Sequence, residues 1–538
     1  MKRNYNFLIA GVIFLLITIF PCVTSAAVTG ELDLNISNRI PRPGNPVFIE
    51  VDTRTGQSGI PVALFYGSET DTKGHIASKT YLISGVTNNT GKYYHRYIVK
   101  PSDVGKTYYL VAYSVVNQKV LTSNLRGLTV TPSPADADFI LTPASILRAA
   151  TGVTTPTNNP IQIAYEWAQS GDVILLENGA YPPPWISKFG GTNGGSHCGS
   201  ADGPHIWIMA RNPGNAVIQR RSGGGSHTII IWPNTSYTTF VGLHIMGSDL
   251  AGIITCLSPT PLRHIRFFDC VIDGGYDHAT QSGPSSKWGY LGNMDHLLWR
   301  GGAVRNIQRE HAFYFHNIQG GVTIEDATIK EVGRTAFQDA NRPSEGPPGT
   351  GNIQLRNLYV KDTGLGDGGH GGMTFTFMSN NDHDIVLDNI DLEIAFDQAL
   401  LNGVPGYVGT GAFASWDENK PWLPKTKSLT VRNCSFEIAP GMGDRSFGIV
   451  GAVDKFTLEG NNFIKSGVRR PLDIHSDTTS FCLNDESTVI GDPNQQVYIY
   501  GQYLQNYTEA LAHYGTCAPE VEQEKPVKTK NRNRRSRR

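Results

Sequence analysis

Val322-Thr323-Ile324-Glu325-Asp326-Ala327-Thr328-Ile329 is the stretch on which the fold turns. Apolar side chains alternate at Val322 and Ile324, a residue that tolerates a left-handed backbone follows at Asp326, and the next apolar residue arrives at Ile329. Alternation at period two marks a strand with one buried face, and the break at Asp326 reads as a sharp corner into a second strand. The phrase recurs as Ile353/Leu355/Asn357/Val360, Ile385/Leu387/Asn389/Leu392, Leu429/Val431/Asn433/Phe436 and, upstream, Ile265/Phe267/Asp269/Ile272. With glycine at the corner it reads Thr238/Phe240/Gly242/Ile245, Leu297/Trp299/Gly301/Val304 and Phe456/Leu458/Gly460/Phe463.

The corner column is Gly242, Asp269, Gly301, Asp326, Asn357, Asn389, Asn433 and Gly460, in steps of 25 to 44 residues. A corner that needs positive φ selects these residue types, because glycine lacks Cβ and Asn or Asp can hydrogen-bond its own backbone there. Self-similarity at this period, built from strands without helical spacing, predicts a parallel β-helix over residues 140–480.

Working outward, residues 28–132 form a different unit. Seven short alternating runs, at 32–36, 47–51, 62–66, 80–86, 93–99, 108–115 and 127–130, are separated by turn-formers such as Pro41-Arg42-Pro43-Gly44. That density of strands and turns predicts an immunoglobulin- or fibronectin-like β-sandwich, joined through a Pro-rich linker at 133–139. Residues 1–26 have a basic start, an apolar run from Phe7 to Phe20 and small residues before the break, the layout of a secretory signal peptide. Secretion leaves about 510 residues, room for two or three domains.

An oxidising compartment permits disulfides. Cys270 and Cys434 each follow a corner residue five coils apart, ~24 Å at strand spacing, which excludes a bridge between them. Cys482 with Cys517 is the expected bridge, closing a C-terminal cap over 481–517 with a short helix at 503–513. Residues 518–538 read as a disordered basic tail: eight cations lie between Lys525 and Arg538, with no acidic residue. Two readings of the tail stand side by side, a solvated segment and a contact with an anionic surface. Without the tail's eight cations and the leader's two, 36 basic residues face 47 acidic ones, a net of −11. A body this acidic argues against nucleic acid as the main ligand.

A helical run from Pro160 ends at Gly171-Asp172, and the apolar strand Val173-Ile174-Leu175-Leu176 and Gly179-Ala180-Tyr181 follow. A helix there plugs the open edge of the first coil. This opening resembles that of the pectate-lyase-like superfamily of secreted right-handed β-helices. His205-Ile-Trp-Ile-Met-Ala-Arg-Asn-Pro-Gly214 and Tyr237-Thr-Thr-Phe-Val-Gly-Leu-His-Ile245 resemble its first coils. The resemblance implies a right-handed solenoid and a substrate groove on the third strand of each coil, here 252–256, 287–291, 311–316, 335–340, 373–378, 412–416, 446–450 and 471–475. It does not fix an activity, since the superfamily holds lyases, hydrolases, esterases, epimerases and non-enzymatic adhesins. Gly369-His370-Gly371 is similar to a polygalacturonase motif without its paired aspartates, and Asp295-His296 is similar to a pectate-lyase pair displaced from the corner.

Alternation on the third strands turns Phe313 and Phe315 inward and Tyr314 and His316 outward, with Gln338, Thr374 and Thr376 in the neighbouring coils. The densest chemistry is Arg309-Glu310-His311-Ala-Phe-Tyr314-Phe-His316, flanked by Arg334, Gln338, Asp339 and Arg342 and then by His370. A β-elimination lyase needs a base for the sugar C5 proton and a cation beside the carboxylate. His311, Tyr314, His316 or an arginine is the candidate base, His370 is a further catalytic candidate, and Arg334 and Arg342 are the candidate cations. Arg309, Gln338, Arg342 and Trp416 are expected to bind substrate. A hydrolase instead needs two carboxylates, for which Glu310, Asp339, Asp367 and Asp417 are candidates. Asp339 and Asp367 equally suit a structural Ca²⁺, and no other cofactor is implied. The expectation is a secreted polysaccharide-binding and polysaccharide-cleaving protein, lyase ahead of hydrolase; a non-catalytic surface or adhesion protein is the alternative.

Overall fold

A computed structural model describes residues 28–504 except 73, 118, 146–158, 187–203, 222–225, 233–234, 256–261, 341–348, 366–372, 379–382, 395–411, 416–425, 439–447, 452, 460–461, 465–471, 475–477, 479, 485–488, 491–496 and 500–501. The expected leader, the tail, His370, Arg342, Trp416, Gly460 and Cys517 therefore lie outside the described residues, as do Asp367 and Asp417.

Chain 139–499 winds as a parallel β-helix of three sheets. Sheet 1 holds the strands before each corner, among them Thr238–Val241, Val322–Glu325, Ile353–Arg356 and Asp384–Asp388. Sheet 2, after the corner, has 11 strands among the described residues and runs from Gly179–Tyr181 to Val489–Ile490. Sheet 3 contains Ala251–Thr255, Phe313–His316, Phe337–Ala340, Phe375–Phe377, Phe413–Ser415, Gly448–Val450 and Leu472–Ile474, matching the third strands expected from the sequence. One strand, Trp288–Arg300, passes from sheet 3 into sheet 1 without a break.

The corner geometry follows the residue types. Gly242, Asp269, Gly301, Asp326, Asn357, Asn389 and Asn433 all have positive φ, between 47° and 72°. Their side chains also bond outward: Asn389 Nδ2 donates to Asn357 Oδ1 of the preceding coil at 2.8 Å, and Asn357 Nδ2 donates to the Leu125 carbonyl of the N-terminal unit at 2.9 Å. Asn357→Val is expected to lower stability by about 2–4 kcal/mol, combining left-handed strain with two lost hydrogen bonds. Asn357→Gly, which keeps the backbone free, is expected to lose clearly less. Urea denaturation of both variants checks this, and equal losses would show that backbone strain does not select the column.

The core is a ladder of identical positions. Phe313, Phe337, Phe375 and Phe413 sit in register and fully buried on sheet 3. Phe240, Phe267 and Trp299 stack on sheet 1 with ring centroids 4.7 and 5.0 Å apart. The first coil is plugged by the helix Pro160–Trp167, whose N-cap Asn159 accepts from the Ile161 and Gln162 amides. Tyr165 of that helix shares a 2.7 Å hydrogen bond with the Thr238 hydroxyl beneath it. At the other end the ladder runs past residue 480. Ser480–Asn484 pairs in parallel with Val453–Glu459, and Val497–Ile499 pairs with Leu472–Ile474. Gln502–Leu504 then turns back antiparallel, so residues 503–504, assigned to a helix on the sequence, are strand. Cys270 and Cys434 are buried thiols that lie against the Phe268 and Arg432 carbonyls, whereas Cys482 is disulfide-bonded.

Among the described residues the N-terminal unit is a mostly antiparallel sandwich of eight strands rather than seven. The additional strand, Lys119–Ser123, offers only Val120 and Leu121 as an apolar signal and forms by turning back on Thr107–Val116. Val28–Ile36 joins the two sheets, pairing in parallel with Lys119–Ser123 and antiparallel with Pro46–Asp52.

This sandwich is packed onto the outer face of sheet 1. Along one outward row of that face, successive coils carry Leu175, Met209, Val241 and Phe268, and then Arg300, Glu325, Arg356, Asp388 and Arg432. The apolar half packs with Ile40 and Ala137. The charged half alternates in sign and is buried, with relative exposures of 0%, 1%, 1%, 6% and 5%. Arg300 meets Glu325 at 2.6 Å and Arg432 meets Asp388 at 2.9 Å, while the Tyr109 ring of the sandwich lies 5.6 and 5.4 Å from the Arg300 and Arg356 guanidinium carbons. Gly127 permits the approach, since a Cβ there would collide with Arg300 and Glu325. The corner residue Asp326 receives Arg39 at 2.8 Å and Arg126 at 2.9 Å, both from the sandwich.

Candidate functional site

Two places bring chemistry-bearing side chains together. The first is the outer face of sheet 3. Pairing puts Leu291, Tyr314, Gln338, Thr376 and Ala414 in one outward row, with His316 two residues beyond Tyr314 on the same face. Tyr314 is in ring contact with His311 at 4.8 Å and with His316 at 4.5 Å. His311 ends a short polar chain: one ring nitrogen shares a 2.6 Å hydrogen bond with the Thr335 hydroxyl, and the other lies 3.5 Å from Glu310. Glu310 in turn meets Arg334 at 3.3 Å.

Exposure divides this cluster into a floor and a rim. His311, Tyr314 and His316 are only 2%, 7% and 3% exposed, so they face outward by alternation but lie covered. The Arg334 and Glu310 side chains are 34% and 23% exposed, and Arg309 is exposed. Desolvation, reinforced by Arg334 and His316, holds the His311 pKa well below the usual imidazole range. His311 is therefore a neutral imidazole, able to accept a proton or fix a neighbour but not to serve as a cation.

The remaining candidates fall differently. Gln338 lies directly beside Tyr314 and donates to the Met378 sulfur at 3.4 Å. Asp339 takes the register of Phe315 and Phe377, the inward-facing positions, is 1% exposed, and accepts the Met378 amide at 3.0 Å. The row that carries Tyr314 and Gln338 thus does not present Asp339. Of the four carboxylates considered for hydrolysis, Glu310 is the one placed at the cluster among the described residues. No group of three or more His, Cys, Asp or Glu side chains suited to a metal ion occurs among the described residues.

The second place is a cleft of about 470 Å³ between the sandwich and sheet 1. The sandwich contributes residues 68–72, Thr107 and Tyr109; the solenoid contributes His264, Arg266, His296, Thr323, Asn352 and Gln354. Tyr237, His264 and His296 stack on consecutive coils with centroids 5.0 and 4.3 Å apart, and all three have positive φ. His296 is braced by Asp295 at 2.7 Å, and a side chain at Gly320 would strike its ring. Burial, then His296 and Arg266, push the His264 pKa down to about 4.

Sequence reasoning singled out Asp295-His296 but not this cleft. The signal that could have found it is the outward row Arg266, Leu298, Thr323 and Gln354, which looks like ordinary solvent-facing alternation until a second domain covers it. No protein-family model matches the chain, and no curated protein matches it.

Proposed function

We propose that the protein binds an acidic polysaccharide along sheet 3 and cleaves it by β-elimination, as a member of the pectate-lyase-like superfamily of secreted β-helices. The observation that carries this reading is the convergence of His311, Tyr314 and His316 with the Arg334–Glu310 pair on one solenoid face. In this reading Arg334, a partly exposed cation held by Glu310, neutralises the uronate carboxylate and stabilises the enolate-like charge. Tyr314, on the outward row between two imidazoles, enters the step as the phenolate and takes the C5 proton. The electron pair forms the C4–C5 double bond, the C4–O4 bond breaks, and Tyr314 hands the same proton to O4 as it leaves, which restores the phenolate. His311 is a positioning residue here: held neutral and bonded to Thr335, it fixes the Tyr314 ring.

Incubation with a panel of uronic-acid glycans tests the reading through the ultraviolet absorbance of the unsaturated product. Tyr314→Phe is expected to lower kcat by roughly 10²–10⁴, the usual weight of a general base, with KM little changed. Absence of unsaturated product from every uronate, with no new reducing ends from neutral glycans, would sink the enzyme reading. A second reading, a non-catalytic glycan-binding surface protein, is favoured by one observation, the near-complete burial of His311 and His316.

A further inference from the structure

We propose that the cleft between the sandwich and sheet 1 is a second glycan site, built for a short acidic oligosaccharide whose carboxylate faces Arg266. The ligand class rests on the polysaccharide reading above; the cleft and its charge pattern do not.

Its floor is the outward row Arg266, Leu298, Thr323 and Gln354, one residue from each of four consecutive coils. At strand spacing this floor is about 14 Å long and runs along the solenoid axis. It is therefore a linear series of cation, apolar side chain, hydroxyl and amide, which suits an extended chain of rings carrying hydroxyls and a carboxylate. A volume of about 470 Å³ lies in the range of small-molecule sites.

Both ends of the floor are tied to the sandwich. Gln354 donates to the Asp71 carbonyl at 2.9 Å and lies 3.2 Å from the Thr70 hydroxyl, while Arg266 reaches the Gly105 carbonyl at 3.5 Å. The cleft is thus a space bridged at both ends, where two docked domains do not meet.

The charge of Arg266 points to the ligand. Its neighbours on the adjoining outward row, Arg300, Arg356 and Arg432, each meet a carboxylate within 4 Å. Arg266 meets none among the described residues, and its one hydrogen bond is the long contact to Gly105. A partly buried guanidinium without an anion is unfavourable unless a ligand supplies one. A uronate carboxylate fits the bidentate fork of arginine, and the stacked His264 and His296 rings offer a flat wall beside it. On the sandwich wall Glu69 and Asp71 both line the cleft and limit how much negative charge it accepts, which favours a short ligand with one carboxylate at Arg266 over a polyanion.

Isothermal titration of the full chain with trigalacturonate, resolved into the cleft site and the site on sheet 3, and with maltotriose as the neutral control, tests the proposal. Trigalacturonate is expected to bind and maltotriose to bind at least tenfold more weakly. Arg266→Gln is expected to weaken trigalacturonate binding roughly tenfold or more, the loss of one charge-assisted contact. Glu69→Lys sits on an exposed loop, leaves the fold intact and is expected to tighten binding roughly two- to fivefold. Tyr314→Phe, on the other face of the solenoid, is expected to leave this binding unchanged. Trigalacturonate binding that ignores both Arg266→Gln and Glu69→Lys, or that is lost in Tyr314→Phe, overturns the proposal, as does no binding at all. Binding sensitive to Arg266 in a protein that forms no unsaturated product supports the cleft and removes the lyase reading, so the two fail separately.

Discussion

Glu325→Ala is expected to destabilise the protein by ~3–5 kcal/mol, the range for removing one partner from a buried ionic network. Glu325 is 1% exposed and lies between Arg300 at 2.6 Å and Arg356 at 3.6 Å. Burial alone opposes its ionisation, but Arg300 and Arg356 more than offset this and hold its carboxyl below the ordinary carboxylate range. Without it, two guanidinium groups remain in a space closed by Tyr109 and Gly127, with no anion between them. The loss should therefore appear as undocking of the sandwich as well as a lower midpoint. Denaturation by urea, read by a probe in each domain, checks both. The counterpart is Glu310→Ala on sheet 3, whose ion pair with Arg334 is partly exposed and should contribute no more than ~1 kcal/mol. Apolar replacement of Arg300, Glu325 and Arg356 together is expected to recover most of the stability, because desolvation disappears along with the attraction. A loss under ~1 kcal/mol for Glu325→Ala would mean that the row is solvated and the sandwich held elsewhere.

That row also shows what the sequence could and could not reveal. The solenoid was legible because its restraints are local and repeated: alternation fixes the inward face, and a left-handed corner admits few residue types. Phe313, Phe315 and the corner asparagines follow from those two rules alone. The same rules leave the outward positions free, so Arg300, Glu325, Arg356, Asp388 and Arg432 read as solvent-facing charges. Their alternating sign over five coils was visible in the sequence; that a domain some 200 residues upstream covers them was not. Local pattern does not encode which of three solenoid faces a separate sandwich will meet. Asp326 shows the limit most directly, since its backbone role was readable whereas its side chain's role, gathering Arg39 and Arg126, belongs to the docked pair. The candidate site was half legible for a related reason. Parity placed Tyr314 beside Gln338, but it could not tell that His311 and His316 would be covered, nor does counting residues between coils fix Asp339, whose register aligns it with Phe315.

Acidification is expected to destabilise the protein in two stages, the first between about pH 6.5 and pH 4. His383 is 3% exposed, neither ring nitrogen has a hydrogen-bond partner among the described residues, and burial pushes its pKa from 6.5 to about 4. In the unfolded chain the same imidazole protonates as pH falls through 6.5, whereas in the native chain it does not until about 4. Over that interval the unfolded state binds the extra proton, so native stability declines as pH drops, by about 3 kcal/mol for a displacement of this size. His311 acts in the same direction. His75 couples the effect to the domain interface: its Nε2 lies 2.9 Å from Arg432 Nη1, and local desolvation together with that guanidinium lowers its pKa even though the side chain is 55% exposed. That nitrogen accepts from the guanidinium only while it is unprotonated, so acid removes a contact between sandwich and solenoid. The second stage belongs to Glu325 and Asp388, whose depressed carboxyl pKa values contribute stability above 4.5 and 3.8 that is lost as pH falls through the lower folded values. Melting temperature should thus be level from pH 8 to 7, fall from 6.5 to 4 and fall again below. His383→Phe, which fills the site without a titrating nitrogen, is expected to flatten the first fall. A melting temperature that stays constant or rises between pH 6.5 and 4 would show that these imidazoles are solvated in the native state. Because His75 and the Glu325 row lie on the same face, acid should also release the sandwich before the solenoid unwinds.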